Sequence, residues 1–479
     1  MSRVTTPQRT GAARRLVGRA VGVLALVVAA AAMSAVPASA HAVLVSTDPA
    51  ADGVVTVAPS QVTLRFSEEV DVAGSTVHVL DDTGARVDDG PPVTAATDST
   101  AVSVPLKAGI RSGSYVVSWI VTSDDTHPVS GSFTFAVGSR TSTSAVEAPT
   151  RNDPVGLVLG ILRWLGYVGL ALGPGMLLVA LLLWPEALQD RRARRMMLGG
   201  LGLLVASTVG GMLLQGVWAS GAPLSALWQS PDTLDTHSRK FDLVYAWRVF
   251  LLVAFAVTMA LAFPRRSTPT PSRRVLLGAV GLSSVALVAT WPVVGHSAVG
   301  DLPLLALAVN LVHSMGMVLW LGGLVFVLVC LSPAGREAQL SVVLPRFSRL
   351  ALACAGVLVV TGAFMTWRQV GGLPGLTTTE FGRVLLGKLA LVAILLLLGR
   401  SSKRWVSRNL LEPSGSVAAE DITGSPGSRS GQVDVLVAAP VVVEATDVAS
   451  LRHGVVAELV VATLVLAVTA ALVVVAPPL

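Results

Sequence analysis

The stretch Ser118–Gly131 reads Ser-Trp-Ile-Val-Thr-Ser-Asp-Asp-Thr-His-Pro-Val-Ser-Gly. It begins inside an alternating run, Tyr115–Val121, that predicts a β-strand. Its middle, Asp125-Thr126-His127-Pro128, reads either as a turn or as a pair of metal ligands. On a strand end Asp125 and His127 share one face, because strand side chains alternate with period two. Working outward, further short runs follow the same pattern: Val62–Phe66, Thr76–Leu80, Ala101–Leu106 and Phe133–Val137. Gly, Pro, Asp and Ser punctuate them. The pattern predicts a small all-β sandwich or barrel over residues 41–140.

Upstream, Arg14, Arg15 and Arg19 precede an apolar run from Val21 to Met33, and Ala38-Ser39-Ala40 follows. A basic start, a short apolar stretch and an A-x-A end predict a signal peptide over 1–40. Cleavage after Ala40 makes His41 the new N-terminus. Its free amine and its imidazole then close a chelate ring on one metal. With Asp125 and His127 they form an N,O-rich set suited to tetragonal Cu(II). Such a site weakens as pH drops, because the amine must lose its proton. The alternative is an accidental His at the cleavage site and a plain turn at Asp125–Pro128.

Of the 479 residues, 52% are hydrophobic and only 13% charged, a membrane-protein composition. The net charge of +6 sits largely in clusters flanking apolar runs, where it sets membrane orientation rather than marking nucleic-acid binding. No G-x-x-x-x-G-K-[ST] pattern occurs, which argues against a nucleotide partner and ATP-driven pumping. Residues 141–154 form a Ser/Thr-rich linker. Eight apolar runs follow: Val155–Trp184, Met196–Trp218, Val244–Phe263, Val275–Val294, Leu302–Leu331, Leu350–Met365, Val384–Leu398 and Val455–Val475. Basic loops come after the first, third, fifth and seventh, so the positive-inside rule puts the β domain outside a plasma membrane spanned by about eight helices. Residues 155–411 hold the first seven spans, 412–450 a low-order cytoplasmic insert and 451–479 the last span. Cys330 and Cys354 fall at span ends on the cytoplasmic side, so no disulfide is expected.

Polar residues inside a span are costly and usually functional. Asn310, His313, Met317 and Trp320 follow i, i+3, i+7 and i+10 spacing, which places them on one helix face near mid-span. Imidazole and thioether together suit copper passage. His296, at the end of the fourth span, extends the line, and Met212, Gln215 and Met365 are further candidates for which packing is the simpler reading. Arg248, Arg383 and Lys388 read as snorkelling anchors and Glu458 as an interfacial residue.

The order His41-Ala42-x-Leu44, Pro49-Ala50-x-x-Gly53, Leu64-x-Phe66-Ser67-Glu68 and Ser118 through Gly131 resembles the CopC family of periplasmic copper proteins. That resemblance implies a Greek-key β-sandwich with one Cu(II) site on His41, Asp125 and His127, and Glu68 near the copper. No Met lies between His41 and Gly175, so the family's methionine-rich Cu(I) site is not expected. His78 reads as a surface strand residue. Downstream, His313, Trp320-x-Gly322-Gly323-Leu324, Phe347-Ser348, Thr361-Gly362 and Phe381-Gly382-Arg383-x-Leu385-Leu386-x-Lys388 are similar to the CopD copper-resistance family. Phe381 replaces a commoner Tyr, and the insert before the last span also departs from the pattern. The combination implies capture of Cu(II) outside and copper movement, in the uptake direction, across the membrane. Its partners are the copper ion, the lipid bilayer and an extracytoplasmic copper donor protein. No catalytic residues are expected. Two other readings are an electron-transfer or cupric-reductase protein and a copper-dependent oxidative enzyme. The first has only His296, His313, His237 and His453 to offer a haem.

Overall fold

The computed structural model describes residues 42–95, 98–123, 128–141, 154–219, 223–229, 239–262, 271–293, 303–331, 337–370, 374–406 and 445–473. The N-terminal part is a sandwich of two four-stranded sheets. One has the order β1 (Leu44–Asp48), β3 (Gln61–Phe66), β6 (Asp98–Pro105), β5 (Val93–Ala95). The other has the order β2 (Val54–Val55), β8 (Pro128–Val137), β7 (Gly113–Ser123), β4 (Val70–Leu80). All pairs are antiparallel except β2 with β8. The alternating runs read from the sequence form β3, β4, β6, β7 and β8. The three strands the pattern missed are short or lie at a sheet edge, where alternation is blurred by solvent on both faces.

The core follows from the alternation. Val62, Leu64 and Phe66 of β3 point inward and meet Val117, Trp119 and Val121 of β7. Phe66 packs edge-on to Trp119, centroids 5.2 Å apart, and Tyr115 stacks on Phe135 at 5.2 Å. Gly131 lies opposite Trp119 in the β7–β8 ladder, and a Cβ there would come within 2.6 Å of the indole. The glycine therefore admits the Trp119 ring across the hairpin.

Among the described residues eight long helices follow: α1 (Pro154–Leu183), α2 (Arg191–Ala219), α3 (Arg239–Ala262), α4 (Pro271–Ala289), α5 (Pro303–Leu331), α6 (Glu337–Val370), α7 (Glu380–Val406) and α8 (Ala445–Leu472). Seven are long and apolar enough to cross a membrane; the apolar part of α4, Val275–Ala289, is shorter. All eight expected spans thus correspond to helices. A π-helical turn at Ala171–Gly175, with Pro174 inside it, interrupts α1. The bundle is built around α1 and α5, the two spans with the largest buried share. At their crossing Gly322 faces the Gly175 backbone and Gly323 faces the Phe347 ring of α6, and a Cβ on either would clash. The expected Trp-x-Gly-Gly motif is a close-approach seam of the kind membrane helices use. The sandwich rests on the bundle through contacts of β4 and β7 with α2. The side where α1 begins is termed the near side below, the opposite one the far side. Among the described cysteines Cys354 is a buried free thiol.

Candidate functional site

His41, Asp125 and His127 lie outside the described residues, as do His296 and His237. Their chain neighbours are described, and they converge on one end of the sandwich. Ala42 is fully buried, and its N–H donates to Ser123 Oγ at 3.3 Å. The Val43 N–H donates to Ser67 Oγ at 2.9 Å, and the Ser67 N–H returns a bond to the Val43 carbonyl at 2.8 Å. Val70, two residues past Glu68, pairs with Ser123 in the β4–β7 ladder. Thr122 pairs with Pro128 across the β7–β8 hairpin. Residues 42–43, 67–70, 122–123 and 128 therefore form one cluster, from segments up to 86 positions apart in the chain. Glu68, half-buried, sits inside it. Among the described residues no three His, Cys, Asp or Glu side chains converge as a metal group.

His78 is elsewhere. It pairs with Ser118 of β7, five residues along that strand from Ser123, the partner of Val70, about 17 Å at the rise of a strand. Its Nδ1 is 3.7 Å from Asp88 Oδ2 and its side chain is 40% exposed. Asp88 is itself buried, and takes hydrogen bonds from Arg86 Nη2 at 2.5 Å and the Val79 N–H at 3.1 Å. Burial works to raise its pKa, but those two donors and the Arg86 charge outweigh it and hold the carboxyl below the usual range. The ion pair here is that of Arg86 with Asp88, and His78 is a partly exposed strand residue beside it.

In the bundle, Asn310, His313, Met317 and Trp320 all lie on α5. His313 is ten residues from the near end, about 15 Å along the axis, close to the middle of a bilayer core. Its Nδ1 is 2.8 Å from Thr361 Oγ1 on α6. The Thr361 hydroxyl has one proton and donates it to the Val357 carbonyl at 2.6 Å. The network therefore assigns the proton of His313 to Nδ1, donating to Thr361, and leaves a lone pair on Nε2. A neutral imidazole with a fixed Nδ1–H is the form that offers Nε2 to a metal. Met317 and Met315 pack against the bundle core, and Met365 packs with Val309 and Phe364. Packing accounts for Met365.

Two expectations about charged residues change. Arg248 does not snorkel. It is 5% exposed, with Nε donating to Thr290 Oγ1 at 3.1 Å, Nη2 to the Thr290 carbonyl at 2.9 Å, and its guanidinium 4.5 Å from the Tyr245 centroid and 4.0 Å from Trp291's. Aromatic faces and a carbonyl replace water around the cation. Glu458 is not interfacial either: it is 2% exposed and accepts a bond from Ser402 Oγ on α7. Position near a span end suggested exposure, but neighbouring helices cover both side chains. Thr361 is the residue that sequence reading undervalued; its only signal was the Thr361-Gly362 pair.

Comparison with known proteins decides the family. Residues 44–138 match the family described as CopC domain, 152–304 the copper resistance protein D-like N-terminal domain, and 341–472 copper resistance protein D. Protein YobA of Escherichia coli K12 is 36% identical over 98 residues, 79% of its length and 20% of this chain. The chain belongs to the CopC–CopD copper-resistance family. The copper transport protein CutJ of Bacillus subtilis is 25% identical over 378 residues, 75% of this chain and 67% of that one. The solved CopC of Methylosinus trichosporium OB3b is 32% identical, with 22% of this chain and 99% of that one covered and a TM-score of 0.20. This CopC–CopD chain thus joins a copper-binding β-sandwich to a copper-resistance membrane domain.

Proposed function

We propose that the CopC domain captures Cu(II) on the extracytoplasmic side and hands it to the CopD bundle, which carries copper inward. The amine and imidazole of His41, the imidazole of His127 and the carboxylate of Asp125 hold the ion, with Glu68 beside it. Asn310, His313, Met317, Trp320 and His296 line the route. Copper is cargo here, and no step requires its chemical conversion.

One observation carries this reading: the hydrogen bonds that bring Ala42 to Ser123 and Val43 to Ser67. Consecutive Cα atoms lie about 3.8 Å apart, so residue 41 is covalently confined next to Ala42, and 125 lies two links beyond Ser123. The described neighbours on which the proposal rests, residues 42–43, 67–70, 122–123 and 128, lie together at one end of the sandwich. The lone pair assigned to His313 Nε2 supports a second copper-accepting position mid-bundle. A CopC domain joined to the bundle by a short linker also raises the local copper concentration at its mouth.

The test is Cu(II) affinity of the processed exported domain, residues 41–140, against the same domain with one extra residue before His41. Loss of the amine removes a ligand and the chelate ring, so affinity falls by at least 100-fold. It also falls as pH drops, because the amine then stays protonated. Equal affinity in the extended protein would eliminate the amine as a ligand.

A further inference from the structure

Glu458 is a buried acid that copper capture does not use. It lies 14 residues from the Leu472 end of α8 and faces α7, where Ser402 Oγ donates to its Oε1. A Cβ placed on Gly399 of α7 would lie 4.0 Å from both Glu458 Oε2 and the Trp320 ring of α5. The carboxyl is thus across a glycine notch from the far end of the Asn310–Trp320 face. Trp320 is seven residues, about 10 Å, beyond His313 towards the far side. The His313 imidazole on α5 and the buried carboxyl on α8 therefore follow one another along the bundle, the carboxyl beside the Trp320 end of the α5 face.

Ionisable side chains within a span are rare and mark ion or proton pathways. Among the described residues no salt bridge reaches Glu458. The helices packed on α8 are α7, α5 and α1. From α7 the facing group is Ser402, while Arg400, Lys403 and Arg404 lie towards the far end of the same helix and Glu380, Arg383 and Lys388 nearer its start. From α5 it is Trp320, and the titratable residue of that helix besides Cys330 is His313. From α1, Trp164 Nε1 donates to the Thr463 carbonyl, and Arg163 and Tyr167 are its other titratable residues. On α8 itself Asp447, Arg452 and His453 lie towards the far side.

We infer that Glu458 is the proton-exchanging group of the bundle, so that copper passing Trp320 is coupled to a proton. The inference rests on the transport reading. The step balances simply. The carboxylic acid loses one proton to the far side as the ion arrives, and the resulting carboxylate offsets one unit of its positive charge. No electron moves and no other bond breaks. When the ion leaves towards the far side, a proton returns to the carboxylate from the near side, so one proton crosses with each ion. Neither the full ion charge nor a bare carboxylate then remains alone between the helices, which lowers the barrier to passage.

The full chain in liposomes, with a pH-sensitive dye trapped inside, tests this. CuSO4 and cuprous ion under ascorbate form separate arms. In the wild type, copper entry moves protons and its rate changes with an imposed pH gradient. Glu458→Gln keeps the size and the bond to Ser402 but has no proton to exchange. It is expected to lose the proton signal and at least tenfold in copper flux. Glu458→Asp restores both in part. Ser402→Ala separates a structural role, since it removes the hydrogen bond yet keeps the proton, and coupling should survive. Wild-type flux without proton movement, or Glu458→Gln with unchanged flux and pH dependence, overturns the inference alone. No copper entry in the wild type overturns the transport reading and the inference with it.

Discussion

His313 and Thr361 form a pair whose direction is set by a third atom, the Val357 carbonyl. Replacing Thr361 with Val keeps the volume but leaves Nδ1–H without its acceptor, freeing the ring to turn and change tautomer. Partners that orient a metal-binding His typically matter 10–100-fold. Copper flux through Thr361→Val should therefore fall about tenfold or more, and Thr361→Ser should restore it; equal flux in all three proteins would dissociate the pair from transport. Asp88 gives a prediction in the sandwich. Its carboxyl lies below the usual range when folded, so its stabilisation is present above the unfolded value near 4 and is lost as pH falls through the folded value. At pH 7, Asp88→Ala leaves the Val79 N–H unpaired, a loss of about 1–3 kcal/mol. Thermal melts of the two exported domains should differ at neutral pH and approach one another on acidification.

The α1–α5 seam depends on the absence of side chains. Gly322→Leu would push a branched side chain into the Gly175 backbone, and overpacking of this kind costs about 1–3 kcal/mol or more. The variant should unfold at lower temperature in detergent while Cu(II) binding by its sandwich is unchanged; an unaltered melting temperature would mean the helices part easily. Elements with a strong period were legible beforehand. Val62–Phe66 and Tyr115–Val121 alternate because one face is core, and the apolar runs are helices because a bilayer demands about 20 such residues. Val54–Val55 and Val93–Ala95 were not legible, since two or three residues show no period. The depth of Arg248 and Glu458 was hidden for another reason. Burial of a side chain near a span end depends on which helices cross there, and Trp291, Gly399 and Ser402 come from other parts of the chain. For the proposed metal site, the residue types at His41, Asp125 and His127 were readable, and the resemblance added Glu68. The serine hydrogen bonds that draw their neighbours together were not, because Ser67 and Ser123 look like ordinary strand-end polar residues.

Across the whole molecule, a hydrogen-bonded cluster closes one end of the sandwich, and the sandwich contacts α2 of the bundle. Along the bundle, His313, Trp320 and Glu458 follow one another from the near half to the far half. In the proposed function, capture and passage are two parts of one route, each with a residue whose loss can be read separately. The copper content of cells carrying the wild-type chain, His41→Ala or His313→Ala, grown at low external copper, tests the route most directly. The predicted result is higher copper in wild-type cells than in cells lacking the protein. His313→Ala should fall to the level of the latter, and His41→Ala should lie between them, recovering as external copper is raised. Copper contents identical in all four strains would contradict it.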